Sequence, residues 1–368
     1  MAETTVSYKC PNCNAPLTFI PGHDKVSCEY CGAELDIGAM DNLFKSKQEL
    51  AAKTREAQEA KWNTDEAGNE WSADEAAMLK AFTCSACGAE IVCDENTMAT
   101  ECVYCGNPTM IPKRFTGMLK PDYVIPFKKT KQDAVNALKK FYEGKKLLPD
   151  AFTANNRVEA IQPMYVPFWL FDSDVEAHAS FKAAKIRVRE TASEVIKEIH
   201  VFNCERGGLM KFEHIPADGS KKMDDTYMES IEPFNYAELV PFNAAYLTGY
   251  LADKYDVSAD ECVPRADKRV ENSAVDVLQS TVKNYDTCEI ESHAVIKDGS
   301  KVIYAMVPVW ILTTRYEDKP YTFMMNAQTG KMVGSLPYDS GKAFKYPAIC
   351  TLILMPIIYF ILSFIMAQ

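Results

Sequence analysis

Cys10-Pro-Asn-Cys13 is followed, after a gap of fourteen residues, by Cys28-Glu-Tyr-Cys31. The same pattern returns 74 positions later as Cys84-Ser-Ala-Cys87 and Cys102-Val-Tyr-Cys105, with the same gap. Two C-x2-C pairs allow two tight turns to direct four thiolates at one tetrahedral Zn²⁺, with Zn–S distances of about 2.3 Å. The sequence therefore predicts two structural zinc sites, one held by Cys10, Cys13, Cys28 and Cys31 and the other by Cys84, Cys87, Cys102 and Cys105.

The two cysteine segments also agree outside their ligands, since Ala15 matches Ala89, Tyr30 matches Tyr104 and Gly32 matches Gly106. A glycine after the last ligand suits a turn that needs a positive φ. We therefore predict two rubredoxin-like, four-cysteine zinc ribbons, at residues 1–38 and 82–114. Cys93 aligns with Phe19, which favours a small apolar filler over a fifth ligand.

Composition limits the class of protein. A chain of 368 residues is long enough for two or three domains, and its formal charge of −11 becomes more negative when thiolates bind zinc. The five other cysteines show no pairing pattern, so a reducing compartment is expected; they are Cys93, Cys204, Cys262, Cys288 and Cys350. The sequence opens without the pattern of a signal peptide, so none is expected.

The C-terminal segment is of a different kind. Residues 346–368 carry no charge and are dominated by Ile, Leu, Met and Phe. As a helix they span roughly 34 Å, against about 30 Å of membrane hydrocarbon. Lys342 and Lys345 precede this segment, and the positive-inside rule places the bulk of the chain in the cytoplasm. We predict a single transmembrane tail anchor in the cytoplasmic membrane; the alternative is a buried core helix kinked at Pro356.

Residues 39–81 are rich in helix-forming residues and predict a solvated, charged helical spacer between the ribbons. Asp41 is placed to cap a helix running to about Trp62. Ser72 is placed to cap a second helix that carries Ala76, Ala77 and Leu79. No heptad pattern is sustained, which argues against a coiled coil.

A weaker duplication marks the region between the second ribbon and the tail. Tyr165-Val-Pro-Phe-Trp169 returns 141 residues later as Met306-Val-Pro-Val-Trp310. Amphipathic helices are predicted before the two copies, at 130–142 and 270–285, and alternating strands after them. The predicted fold class is therefore multidomain α+β, with a duplicated body of helix-plus-antiparallel-meander units at 115–235 and 236–338.

Local signals within this body give four further expectations. Pro167 and Pro308 predict edge strands or bulges, because proline cannot donate to a ladder. Trp169 and Trp310 are expected to be core residues. Residues 194–204 and 207–216 predict a hairpin closed at Glu205-Arg-Gly-Gly208, and residues 326–330 predict the turn of another.

Nucleic-acid binding is one alternative function. Residues 8–38 hold two lysines and four acidic residues, and residues 82–114 hold four acidic residues with Lys113 and Arg114 only at the exit. A phosphate-binding module needs lysine or arginine clustered on one face. The charge pattern therefore argues against this alternative.

Catalysis is a second alternative. The five histidines (His23, His178, His200, His214 and His293) form no H-x-x-x-H or H-E-x-x-H pattern, and no phosphate-binding loop or G-x-S-x-G motif is present. His178, His200 and His214 fall in one predicted sheet region. Asp224, Asp225, Glu229 and Glu232 fit paired carboxylates, a cation site or a solvated acidic helix start; the last is the plainest interpretation, because the N-terminal dipole favours carboxylates.

Three segments add a family resemblance to the cysteine motifs: Val166-Pro-Phe-Trp-Leu-Phe-Asp172, Ile215-Pro-Ala-Asp-Gly-Ser-Lys-Lys-Met-Asp-Asp225 and Met228-Glu-Ser-Ile-Glu-Pro-Phe234. With the duplicated ribbons, the chain resembles bacterial zinc-ribbon proteins of the transcription-factor-IIB type, some of which are labelled primosomal helicase-like. The chain lacks a Walker A loop, so helicase activity is not expected. The resemblance implies an association, in membrane-attached members, with phage-shock-type membrane-stress systems.

The function predicted from the sequence is a non-enzymatic, membrane-anchored adaptor that holds protein partners at the cytoplasmic face through zinc ribbons. A nucleic-acid-associated protein of replication or transcription and a membrane-tethered enzyme with an unrecognised site remain the alternatives. The sequence does not identify the partner, nor does it show whether the body binds a small molecule.

Overall fold

The computed structural model describes residues 10, 15, 17–20, 24–40, 42, 62–99, 101–115, 117–155, 160–190, 194–317 and 319–366. These residues form a mixed α+β structure in which strands predominate, as the predicted fold class requires. They form two compact units: unit 1 contains 1–65, 170–216 and 263–302, and unit 2 contains 66–169, 217–262 and 303–368. Each unit therefore combines segments that are distant in sequence. The predicted sequential domain boundaries stay a prediction.

The helices are α1 (Ala73–Ala77), α2 (Lys131–Tyr142), α3 (Asp150–Asn155), α4 (Asp225–Ile231), α5 (Ala259–Ser280) and α6 (Ser340–Met366). The strands are β1 (Thr18–Phe19), β2 (Lys25–Ser27), β3 (Glu34–Asp36), β4 (Leu79–Cys84), β5 (Glu90–Asp94), β6 (Met110–Lys113), β7 (Tyr123–Val124), β8 (Gln162–Glu190), β9 (Val195–Asp218), β10 (Val240–Pro241), β11 (Leu251–Asp253), β12 (Thr287–Tyr316), β13 (Lys319–Asn326) and β14 (Met332–Gly334).

In unit 1, the first cysteine repeat forms a small sheet of its own, with the order β1-β2-β3 and antiparallel pairing throughout. The larger part of the unit packs one face of β8 into its core. Val175, Ala177, Ala179 and Phe181 alternate along the strand and are all buried. This alternation is the period-2 pattern that the sequence showed.

The predicted spacer is solvated only in part. Trp62 belongs to unit 1 and is 5% exposed: its Nε1 donates to Asp267 Oδ1 at 2.8 Å, and its ring meets Phe171 edge-on at 5.0 Å. The spacer helix predicted from Asp41 to Trp62 lies almost entirely outside the described residues. Ser72 does cap a helix, but α1 ends at Ala77 and Leu79 already belongs to β4.

The hairpin predicted within residues 194–216 is wrong. Val195–Asp218 forms one strand, β9, which pairs with β8. Gly207 does not form a turn; a Cβ atom at this position would lie 2.7 Å from Nδ1 of His178 on the neighbouring strand. The glycine is needed for the close approach of two strands, a role that a sequence pattern cannot distinguish from a turn.

In unit 2, the strands follow the order β10-β7-β12-β8-β11-β5-β4-β6, with β13 and β14 adjoining β12. Helix α2 begins at the Thr130 capping box and buries Ala134, Val135 and Leu138. This apolar face packs in one cluster with Trp310 and Phe323.

The two V-P-x-W segments make matching contacts within unit 2. Trp169 Nε1 donates to the Val257 carbonyl and Trp310 Nε1 to the Lys129 carbonyl, both at 2.9 Å. The Trp169 ring packs against Tyr255 at 5.3 Å, and the Trp310 ring against Phe127 at 5.6 Å. Both tryptophans are buried, which confirms the prediction that they are core residues.

Pro167 and Pro308 do not lie in edge strands, because β8 and β12 both have neighbours on two sides. The Pro167 carbonyl accepts from Gly219 N at 2.8 Å, and the Pro308 carbonyl accepts from Ala327 N at 3.0 Å. On this side, each proline contacts a loop that bonds only to the proline carbonyl. Pro167 lies just beyond the residues of β8 that pair with the parallel strand β11, and Pro308 lies just beyond those of β12 that pair with the parallel strand β7. The missing N–H costs no ladder hydrogen bond there.

Two further boundaries differ from those predicted. Helix α5 begins at Ala259, eleven residues before the predicted start, because Ser258 and Glu261 form a capping box that the pattern analysis missed. Helix α6 begins at Ser340 and not at Tyr346. The predicted turn at Asn326–Gly330 is confirmed and joins β13 to β14.

The continuity of β9 can be tested with neighbouring glycines. Gly207→Ala should lower the free energy of unfolding by about 1–3 kcal/mol, because the added methyl group collides with His178. Gly208→Ala is the matched control, since its Cβ atom meets nothing closer than Leu278 at 4.0 Å. Denaturant unfolding of both variants measures the difference. Equal stability of the two, or no recovery in Gly207→Ala/His178→Ala, would contradict the close strand contact.

Candidate metal centre

The second cysteine repeat forms two turns of the same geometry. Cys84 N donates to the Ala89 carbonyl at 2.9 Å, and Gly88 N donates back to the Cys84 carbonyl at 3.0 Å. Cys102 repeats this pair of bonds with Asn107 and Gly106, at 2.9 and 2.8 Å. Gly88 and Gly106 have φ values of +70° and +67°, which explains why glycine stands after the second cysteine of each pair.

These turns bring four sulfur atoms together. The Sγ atoms of Cys84, Cys87, Cys102 and Cys105 all lie within 4.8 Å of one another. Cys84 Sγ and Cys105 Sγ are 3.6 Å apart, as are Cys87 Sγ and Cys102 Sγ. A disulfide would require about 2.05 Å, whereas ligands at about 2.3 Å from a tetrahedral ion lie roughly 3.8 Å apart. The four thiols can therefore hold a metal ion.

The surroundings of Cys84 favour its thiolate. Burial opposes ionisation, but the N–H groups of Cys87 and Ala86 and the Asn107 amide point at the sulfur and lower the pKa of Cys84 to about 6. Ala86 N lies 3.4 Å and Asn107 Nδ2 lies 3.7 Å from this sulfur. Burial raises the pKa of Cys102. A metal ion that binds here must displace the proton of Cys102.

The first repeat brings three described sulfur atoms together, those of Cys10, Cys28 and Cys31. Cys10 Sγ and Cys31 Sγ are 3.6 Å apart. Cys28 N donates to Ala33 and Gly32 N to Cys28, both at 2.8 Å, so the turn matches those of the second repeat. Cys13, the fourth predicted ligand, lies outside the described residues. The described cluster can hold a metal ion.

The two repeats differ in what their strands join. In the second, β4 pairs with β5 and β6, and β5 continues the sheet of unit 2 by pairing with β11 through Val92 and Ala252. Side chains reinforce the junction: Thr313 Oγ1 donates to the Val103 carbonyl at 2.7 Å, and Lys222 Nζ to the Cys87 carbonyl at 2.9 Å. The second cysteine cluster is therefore part of the main sheet, whereas β1, β2 and β3 form a separate sheet.

Matched tyrosines show the same contrast. Tyr30 is 82% exposed, whereas the Tyr104 hydroxyl lies 3.5 Å from Met164 Sδ, inside unit 2. Beside Tyr104 lies Asp253, which is 1% exposed and whose pKa is raised to about 7 by burial, partly offset by Ser220 and Tyr104. Sequence reasoning missed Asp253. In the sequence, Asp253 is marked only by its position after the two apolar residues Leu251 and Ala252.

The other predicted candidates do not join a described metal cluster. Cys93 is fully buried, its Sγ contacts the Thr97 carbonyl at 3.2 Å, and burial raises its pKa to about 11. It is the apolar filler that was predicted. Asp224 caps α4 by accepting from Thr226 N and Tyr227 N, which supports the interpretation of an acidic helix start.

Three of the described histidines have polar contacts that can be named, and His200 is exposed. His178 Nε2 lies 2.9 Å from Glu176 Oε1, and His293 contacts Glu271. The His214 backbone N–H donates to Asp172 Oδ1 at 2.6 Å. Among the described residues, the groups able to hold a metal ion are the two cysteine clusters. His23 lies outside the described residues.

Comparison with known proteins gives a relative along nearly the whole chain. The protein named "Uncharacterized protein YdjG" from Bacillus subtilis (strain 168) is 32% identical over 337 residues, and the match covers 92% of each chain. The chain belongs to the same family as YdjG. The name of this relative states no activity, ligand or partner, so any function must be inferred from the residues of the present chain. No family model and no solved structure matches the chain.

The different settings of the two clusters make a prediction that compares one ligand from each. Cys28→Ser and Cys102→Ser should each remove one metal ion per chain. Only Cys102→Ser should strongly destabilise unit 2, by about 3–5 kcal/mol, because Thr313 of β12 donates to the Val103 carbonyl in its turn. Elemental analysis and thermal unfolding of the purified chain give the two readouts.

Cys93→Ala is the control for loss of a buried sulfur, and it should keep both metal ions. Equal destabilisation by Cys28→Ser and Cys102→Ser would contradict the structural difference between the two repeats. Fewer than two metal ions per wild-type chain, purified without oxygen, would contradict the metal assignment itself.

Proposed function

We propose that the protein is a membrane-anchored adaptor, in which two structural zinc sites and an α+β body hold protein partners at the cytoplasmic face. The observation that carries the proposal is helix α6. Its apolar window, Ser340–Ser363, has a mean hydropathy of 2.0, and none of it is buried within the described structure. A helix this apolar and this exposed needs a membrane or a partner to cover it.

The metal ion that we propose is zinc. Four thiolates in a tetrahedral arrangement are the ligands of structural zinc, and they leave no open position for a water molecule or substrate. The spacing of Cys84, Cys87, Cys102 and Cys105 fits this closed geometry. Both sites then support the fold and the surfaces built on it, and neither takes part in a reaction.

Charge supports protein contact over nucleic acid. In the second repeat, Lys113 pairs with Glu90 at 2.5 Å, and Lys254 pairs with the same carboxylate at 2.9 Å. In the first repeat, Lys25 lies 3.5 Å from Glu34. These three lysines are paired with carboxylates of the two repeats and do not form the one-sided basic face that phosphate binding requires.

For the alternative function, a membrane-tethered enzyme, the structure offers a specific candidate site. An open groove of about 760 Å³ in unit 1 is lined by Pro264, Asp267, Lys268, Glu271, Asn272, Val275, Asp276, Ile290 and His293. Asp267 accepts from Trp62 Nε1 and from Lys297 Nζ, and Glu271 contacts His293. Since these carboxylates have structural partners, we place the adaptor first.

Strand β9 offers a surface for a protein partner. Val195, Ile199, Val201 and Leu209 lie on one face of the strand, interspersed with polar residues, and are 51–84% exposed. We call these four residues the apolar strip. An apolar row on an exposed strand favours contact with another protein. The resemblance to zinc-ribbon proteins of membrane-stress systems suggests the setting in which such a partner is bound.

The anchor predicts a change of fractionation. Deleting residues 346–368 should move the protein from carbonate-washed membranes to the soluble fraction, because most of the apolar length of α6 is lost. Immunoblotting of the fractions measures the shift. Membrane retention of the truncated chain after a carbonate wash would refute the anchor.

The adaptor role predicts a cross-linked partner. A photoreactive amino acid at Val201, in the apolar strip, should capture another protein in intact cells. The same group at Gln132, an exposed polar position on α2, is the control and should not capture it. Ile199→Glu should abolish the Val201 product without loss of zinc. Cross-links only to a second copy of the chain, or to none, would contradict the proposed adaptor surface.

A further inference from the structure

The base of α6 is bonded to the loop between α2 and α3, within unit 2. Lys342 Nζ donates to the Leu148 carbonyl at 2.8 Å and to Asp150 Oδ1 at 2.7 Å. Asp339 N donates to the Leu147 carbonyl at 2.8 Å, and Asp339 in turn accepts from Lys342 N at 2.9 Å. The loop is therefore held beside the residues where the apolar helix begins.

This junction is basic in an acidic chain. The two segments that these bonds join, residues 139–150 and 338–345, carry six lysines, which we call the basic collar: Lys139, Lys140, Lys145, Lys146, Lys342 and Lys345. Against them stand Glu143, Asp150 and Asp339, whereas the whole chain has a net charge of −11. The collar lysines other than Lys342 are exposed. Positive charge is thus segregated at the start of α6.

Local roles account for part of the collar. Lys139 and Lys140 lie in the last turn of α2, where the helix dipole favours cations. Lys145 Nζ lies 5.8 Å from the centre of the Phe141 ring. The helix dipole and the Phe141 ring do not account for Lys146 or Lys345. They also do not explain why the loop is bonded to α6.

Apolar side chains are exposed at the same junction. Tyr338 is 74%, Phe344 is 80% and Leu147 is 43% exposed. Aromatic residues beside lysines, at the end of an apolar helix, are typical of the headgroup level of a membrane. Juxtamembrane lysines attract anionic lipids by about 1 kcal/mol each.

We propose that the basic collar binds the headgroups of anionic phospholipids, so that the α2–α3 loop rests on the membrane surface. This inference rests on the proposed membrane anchor. The lipid surface is the ligand that matches three features together: the positive charge, the exposed aromatic residues and the continuity of the collar with α6. Binding through the loop orients unit 2 on the membrane, in addition to tethering it.

The test is lysine footprinting of the full chain in nanodiscs. A water-soluble succinimidyl ester labels exposed lysines, and mass spectrometry reports the rate at each one. The discs contain either phosphatidylcholine alone or equal parts of phosphatidylcholine and phosphatidylglycerol. We expect the anionic lipid to slow labelling of Lys145 and Lys146 about fivefold, the factor for one lysine at an anionic surface. High salt should restore the rate.

Lys131 is the matched control, because it is exposed at the opposite end of the same helix α2. Its labelling should be independent of lipid. Lys145→Gln/Lys146→Gln should also reduce the lipid-dependent protection of Lys139 and Lys140, whereas Lys131→Gln should not.

The outcomes separate this inference from the proposed function. Stable incorporation into discs without phosphatidylglycerol-dependent protection overturns the collar and leaves the anchor standing. Failure of the full chain to stay in discs after a carbonate wash overturns both. Protection by an added nucleic acid or acidic protein, with none from phosphatidylglycerol, assigns the collar to another partner and overturns the lipid assignment.

Discussion

The four sulfur atoms of Cys84, Cys87, Cys102 and Cys105 come together where the second cysteine repeat joins the main sheet of unit 2. They join the end of β4 to a turn that hydrogen-bonds back across the repeat, and β5 carries the pairing from this repeat to β11. A metal ion bound by these four sulfur atoms would constrain two chain segments whose strands belong to the main sheet. The same ligand pattern in the first repeat constrains a sheet of only three short strands. One motif thus has two structural consequences, determined by what its strands pair with.

Beyond the metal centre, unit 2 depends on two buried tryptophans. Each indole packs against an aromatic ring and donates its N–H to the backbone carbonyl two residues further along the chain from that aromatic residue. The loop carbonyls repeat the pattern: Gly219 accepts from Asp256 and Val257 N–H groups, and Ala327 from those of Lys128 and Lys129. The two V-P-x-W segments therefore share the same set of hydrogen bonds to their neighbouring loops, as well as a similar sequence. These hydrogen bonds satisfy loop backbone groups that would be costly to bury alone.

Most local features can be predicted from the sequence, although the Ser258–Glu261 capping box was missed, whereas long-range pairing cannot. The cysteine turns, the Ser72 cap and the Asn326–Gly330 turn each depend on residues within a few positions of one another. The pairing of Val92 with Ala252 and the bond from Lys342 to Asp150 have no local signal, because the partners are more than 150 residues apart. Gly207 shows the ambiguity that remains: a glycine pair indicates either a turn or a close approach, and only the opposite strand decides which. Cys13 lies outside the described residues, so the fourth ligand of the first cluster rests on its spacing alone.

We propose that both cysteine clusters are closed, four-thiolate zinc sites. X-ray absorption at the zinc edge, on the full chain purified without oxygen, measures the ligand set directly. We predict a single shell of four sulfur atoms at about 2.3 Å around each zinc ion, with no nitrogen or oxygen ligand. A mixed shell with a light ligand, or a metal other than zinc in a fully loaded protein, would contradict it.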